Sequence, residues 1–175
     1  MVMKLYTNED LRAKMACYDP SRHFEEDMGY TLLDYLNHDT CPAKDKIWCV
    51  TRFLDDRSNR LFAVWCAKEA FKHVENPDPR SLKAIEVSER FANGDALYWE
   101  LEKANLDAYA IVDDDYAYAA YDASCDDTCD VAYGSAEILA NAPRCSFSHD
   151  TSFERRKKQI EKLKKEIQEG NWKEK

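Results

Sequence analysis

Along most of this chain apolar residues recur every three or four positions, the period that puts them on one face of an α-helix. Thr7-Asn8-Glu9-Asp10 opens the first such segment with a capping hydroxyl and acids in the first turn, and the pattern runs to Cys17. Asp19-Pro20-Ser21 breaks it and starts a second segment reaching Asn37, with Gly29 inside it. Cys41-Pro42 begins a third, carrying Ile47, Trp48, Val50, Phe53 and Leu54. Ser58 is placed to cap a fourth, through Val74, whose wide stripe of Leu61, Phe62, Val64, Trp65, Cys66, Ala67, Ala70 and Phe71 predicts a largely buried helix.

Asn76-Pro77-Asp78-Pro79-Arg80 is a break and a restart, with Pro79 suited to a first helical turn. The helix it starts holds Leu82, Ala84, Ile85, Val87, Ser88, Phe91 and Ala92, and Asn93-Gly94 ends it with a pair tolerant of positive φ. Trp65 and Phe91 are both expected in the core. Asp95 opens a long Ala- and Tyr-rich stretch in which Tyr109, Val112, Tyr116, Ala119 and Ala123 share a face expected to point inward, while Asp107, Asp114 and Asp122 point to water. A further helix from about Asp126 stops at Pro143, and Phe153, Ile160, Leu163 and Ile167 mark a last amphipathic one closed by Gly170.

No strand pattern survives this reading, and only 4 Gly and 5 Pro interrupt 175 residues. The prediction is therefore all-α, a single-domain bundle of roughly six to eight helices, mostly antiparallel because the connections are short. No apolar run approaches the roughly 18 residues of a membrane span, and the N-terminus lacks the apolar core of a secretory signal. A cytoplasmic location follows as the expectation. The seven Cys, an odd number, read as reduced thiols.

Charge changes the picture more than composition does. Residues 154–175 hold nine Lys/Arg against five Asp/Glu, a local +4 within a whole-chain −9, so the preceding 153 residues hold −13. Residues 1–150 are thus expected to form an acidic helical domain. Residues 151–175 are expected to form a basic amphipathic helix packed on that domain, or on a second copy in a homo-oligomer. Between Leu106 and Ala142 lie nine acidic residues and no Lys or Arg. Asp107, Asp113, Asp114, Asp115, Asp122, Asp126, Asp127 and Asp130 make up most of that run. A surface of this kind repels nucleic acid and membrane phosphates and attracts basic proteins. The same residues also fit a solvated helix face, or a Ca²⁺ or Mg²⁺ site without the loop glycine and alternating spacing of an EF-hand.

Motifs that carry catalysis are sparse: there is no Gly-rich phosphate loop, no nucleophile elbow and no paired-His zinc helix. Cys125 and Cys129, then Cys145 and His149 fifteen residues on, give two pairs at i,i+4 spacing, which two helix faces would bring together around zinc. Buried thiols are the plainer reading of those cysteines. No other cofactor is expected.

Trp65-Cys66-Ala67-Lys68-Glu69, Asn76-Pro77-Asp78-Pro79-Arg80, Ala84-Ile85-Glu86 and Arg90-Phe91-Ala92-Asn93-Gly94-Asp95 together resemble a helical immunity-protein family of bacteria and phages. The resemblance spans residues 58–142, and the Ala-rich tail from Asn105 to Ala142 belongs to it. Family members often carry His in that tail, where this chain has Asp, Tyr and Cys. The resemblance implies a non-enzymatic protein that binds and inhibits another protein. With the acidic run, the expected partner is a basic protein, such as a nucleic-acid-handling defence complex whose nucleic acid the aspartates would mimic. The alternative is a small helical protein holding a metal or small molecule in its Tyr/Cys-rich region.

Overall fold

The computed structural model describes residues 4–14, 16, 19–72, 74–110 and 152–175, and among them seven α-helices and one 3₁₀ turn form the regular structure. The helices are α1 (Asn8–Ala13), α2 (Leu32–Asn37), α3 (Ala43–Phe53), α4 (Asp56–Phe71), α5 (Pro79–Ala92), α6 (Tyr98–Tyr109) and α7 (Ser152–Gln168). The described residues contain no strand, only isolated bridges joining Tyr6 to Tyr30 and Leu54 to Glu174. The chain is an all-α bundle. No helix among the described residues is long and apolar enough to cross a membrane.

Local signals set most helix starts. Thr7 and Asp10 form a reciprocal capping box at α1, and Thr31 and Asp34 form another at α2. Pro42 precedes α3, and Asp78 caps α5 ahead of Pro79 in its first turn. Gly94, at φ 83°, ends α5 in the left-handed region that costs glycine nothing.

Four expectations give way in the structure. α1 ends at Ala13, short of Cys17. The long helix expected from Asp19 to Asn37 is only a 3₁₀ turn at Pro20–Arg22 followed, after an irregular stretch, by α2. Tyr30 pairs with Tyr6 instead of continuing a helix: Tyr6 N–H donates to Tyr30 O at 2.9 Å and Tyr30 N–H to Tyr6 O at 2.8 Å. Gly29 permits the approach, since a Cβ there would lie 2.9 Å from Leu5 Cβ. The cap of α4 is Asp55 rather than Ser58: its carboxylate accepts Ser58 N–H at 2.7 Å. α4 stops at Phe71, before Val74.

The main core joins α1, α2, α3, α4 and α7. Tyr6 stacks on Phe53 with ring centroids 3.9 Å apart, and Phe24 meets Tyr35 edge-on at 4.8 Å. Leu11, Leu36, Ile47, Phe62 and Leu163 complete the apolar centre. At the α3–α4 corner the buried Asn59 donates to Thr51 O at 2.9 Å and Leu54 O at 3.2 Å, answering two carbonyls left open by the end of α3. Trp65 is half-buried at the margin of this core rather than inside it. A second, smaller core lies between α5 and α6, where Ala84 and Val87 meet Leu101, Ala104 and Ala108. Small side chains let these two helices approach closely. Phe91 sits half-buried at the edge of this second core, and Leu82, expected inward, is exposed.

α7 packs on α2 and α3 of its own chain, with Leu163 fully buried and Ile160 and Ile167 partly so. Phe153 keeps the seven-residue phase of that stripe yet is 71% exposed, because a residue in phase is buried only where a partner surface reaches it. Arg155 and Arg156, in the basic run of this helix, are buried beside a fully buried Gln159. The chain then turns at Gly170, φ 71°, and residues 171–175 run back across the α3–α4 corner.

Candidate interaction surface

The acidic run begins on α6, so the placement of that helix decides what the run's first residues present. Arg90 at the end of α5 organises the entry: its guanidinium donates to Asp95 O at 2.8 Å and pairs with Glu100 at 3.3 Å. Glu100 in turn accepts Leu97 N–H at 2.9 Å, closing the first turn of α6. That backbone bond first, and Arg90 after it, hold the Glu100 carboxyl below its ordinary range. The entry is thus locked by charge-assisted hydrogen bonds rather than by a capping hydroxyl.

Locked in this way, α6 turns Leu101, Ala104 and Ala108 onto α5. Asp107 is exposed, as its place on the wheel predicts. It stands near Arg80, whose guanidinium is held charged first by Asp78 and to a smaller degree by Asp107. Tyr109, expected inward, is 61% exposed. The burial of Ala108 explains the inversion: the inward arc is narrow and centred on Ala104 and Ala108, and Tyr109 lies 100° beyond it. Tyr98, Trp99 and Leu106 join Tyr109 on the outer side, each more than half exposed. The sequence reading did not single out this outer face, although the spacing 98, 99, 106, 109 around one helix carries the signal.

Of the eight aspartates named as the partner-binding face, Asp107 alone is described; Asp113, Asp114, Asp115, Asp122, Asp126, Asp127 and Asp130 lie outside the described residues. So do Cys125, Cys129, Cys145 and His149, and with them the zinc site, as well as Val112, Tyr116, Ala119 and Ala123. Among the described residues no group of three or more His, Cys, Asp or Glu is placed to hold a metal. Cys41, Cys49 and Cys66 are buried thiols outside any disulfide. Burial pushes the Cys41 thiol up to about 12, and it raises Cys66 well above its ordinary value despite the nearby Arg156. Thiols held protonated in this way pack as small hydrophobic groups and are poor nucleophiles.

Two surface clefts complete the picture. One, of about 620 Å³, is lined by Tyr30, Asp34, His38 and Thr40 at the end of α2. The other, of about 410 Å³, runs between α4 and α5 over Phe71 and Ile85, with the Lys68–Glu89 ion pair at its rim. In the first, Thr40 Oγ1 lies 3.4 Å from His38 Nδ1. No family model, no curated protein and no solved structure matches this chain.

Proposed function

We propose that this chain is a non-enzymatic interaction protein that binds and inhibits a basic partner protein. The acidic run from Asp107 to Asp130 would make the contact. The observation that carries this reading is the segregation of charge: nine acids and no Lys or Arg between Leu106 and Ala142, entered from a helix on which Asp107 is exposed. Like charges so dense raise the potential around them and speed encounter with a cationic surface. The likeness to immunity proteins at residues 65–99 favours inhibition of another protein over a solvating role. A nucleic-acid-handling defence complex, the target of a counter-defence protein, suits a surface of carboxylates standing in for phosphates.

Reversal of Asp113, Asp114 and Asp115 to Lys tests the reading. Immobilised wild-type protein should retain a basic protein from bacterial lysate at low ionic strength and release it as salt screens the charges. The triple reversal should keep the native melting temperature, since exposed substitutions shift stability by only about 0.5 kcal/mol each. It should retain none of that protein. Equal retention by the reversed and native chains would overturn the proposal.

A further inference from the structure

The outer face of α6 does more than continue the acidic run. Tyr98, Trp99, Glu102, Leu106 and Tyr109 fall within an arc of about 100°, so they form one ridge along the helix. The four apolar members are 53%, 59%, 61% and 61% exposed in chain order. A single exposed leucine or tyrosine is ordinary on a protein surface, but four large apolar side chains on one ridge form a patch. Trp and Tyr are also the residues that most often anchor interfaces, because they bury much area for few rotatable bonds. The ridge stands on a rigid base, since α6 is fixed to α5 by Leu101, Ala104 and Ala108 and locked at its start by Arg90 and Glu100. An anchor held so firmly loses little entropy on binding.

The charges around the ridge say what fits it. Glu102 lies within it and Lys103 flanks it, while Asp107 stands about 80° beyond its edge, toward Arg80, and Asp95 precedes the first turn beside Arg90. The chain leaves Tyr109 directly into the acidic run. An apolar ridge with a carboxylate at its centre, on a chain whose first 153 residues carry −13, complements a surface that is apolar along one stripe and cationic beside it. Aromatic faces next to carboxylates also receive Lys and Arg side chains well, by cation–π contact and ion pairing together.

We propose that the Tyr98–Trp99–Leu106–Tyr109 ridge of α6 docks a basic amphipathic helix of the partner protein, its apolar stripe against the ridge and a Lys or Arg side chain against Glu102. The proposal rests on the functional reading above and adds its apolar anchor. It explains how a partner drawn in by long-range charge is then held by contacts that salt does not screen. A helical ridge packs most readily against another helix, which sets the partner's shape as well as its chemistry.

The test uses the full chain and two designed helical peptides of one pattern, Leu/Lys and Leu/Glu, each about 18 residues long, enough for five turns. Isothermal titration should show binding of the Leu/Lys peptide only. Trp99→Ser with Leu106→Ser should weaken that binding by about tenfold or more while circular dichroism and melting stay native. The residual affinity at high salt should vanish in this variant but persist in the Asp113, Asp114, Asp115 reversal. If the reversal abolishes binding and the Trp99/Leu106 variant binds like wild type, the ridge proposal fails and the electrostatic reading stands. If neither variant changes binding, both fail. Should the Trp99/Leu106 variant instead turn a sedimenting dimer into a monomer, the occupant is a second copy of this chain and the proposal is overturned.

Discussion

Lys173 donates its backbone N–H to the Ser58 hydroxyl at 2.8 Å, across 115 residues of sequence. Ser58 is free to accept that bond because Asp55 caps α4 in its place. The contact is one of a set that lays the last residues over the α3–α4 corner. Asp55 N–H donates to Lys173 O at 2.8 Å, Lys175 N–H to Phe53 O at 2.8 Å, and Lys4 Nζ to Lys175 O at 2.8 Å. Trp172 is buried among them, edge-on to Phe62.

This arrangement separates the roles of two neighbouring side chains. Asp55→Ala should cost about 1 kcal/mol through loss of the α4 cap. Ser58→Ala should cost about as much, through the Lys173 N–H it leaves without its acceptor. In a chain ending at Gly170 the Ser58→Ala cost should disappear while the Asp55→Ala cost remains. Urea unfolding of the four single and combined variants checks this. A Ser58→Ala penalty that survives the truncation would place its role in the helix instead.

Trp172→Ala should be among the most destabilising single changes, at about 3–5 kcal/mol, since it removes a buried indole from the main core. Chemical denaturation gives the value directly. A loss near zero would mean that the tail does not hold this position in solution.

Leu101 and Leu106 lie on the same helix with opposite fates: Leu101 is 1% exposed and Leu106 61%. Leu101→Ala should cost about 2–5 kcal/mol, whereas Leu106→Ala should change stability by less than about 0.5 kcal/mol. Thermal melts of the two variants decide the register of α6. Similar losses at both positions would mean that the outer ridge is covered within the chain.

The buried thiols give the molecule an alkaline limit. Folded Cys41 and Cys66 both titrate above the unfolded value of about 8.5, because burial penalises the thiolate. Their stabilising contribution is complete below that unfolded value and is lost as pH rises toward the folded ones. Stability should therefore fall from about pH 8.5 upward, by at most ~1.4 kcal/mol per pH unit for each thiol. Urea midpoints between about pH 8.5 and 10 read this before tyrosines begin to ionise. Cys41→Ala should make the decline shallower, and an unchanged slope would assign it to other groups.

The helical class, the cap of α1 and the start and end of α5 are legible in the sequence, because each rests on residues three or four apart. Thr7 with Asp10, Pro79 after Asp78 and Gly94 after Asn93 need no knowledge of the rest of the chain. Helical periodicity also picks Ile47, Phe62, Cys66 and Leu163 for the core, since an apolar stripe reports its own inward side. The exposure of Asp107 is legible for the same reason, and with it the start of the proposed face.

Tertiary structure alone decided the rest. The stretch from Asp19 to Tyr30 has the composition of a broken helix, but after its 3₁₀ turn it is irregular and ends on Tyr30, paired with a Tyr6 that no local rule brings near. Ser58 has the preferences of a cap, yet its partner lies at the other end of the chain. Arg155 and Phe153 stand two residues apart on α7, and the cation is buried while the phenyl ring is exposed. Residue chemistry favours the opposite outcome. Burial depends on which surface meets a helix at each height, and that surface is assembled from distant segments, so periodicity gives the stripe but not its length or its partner.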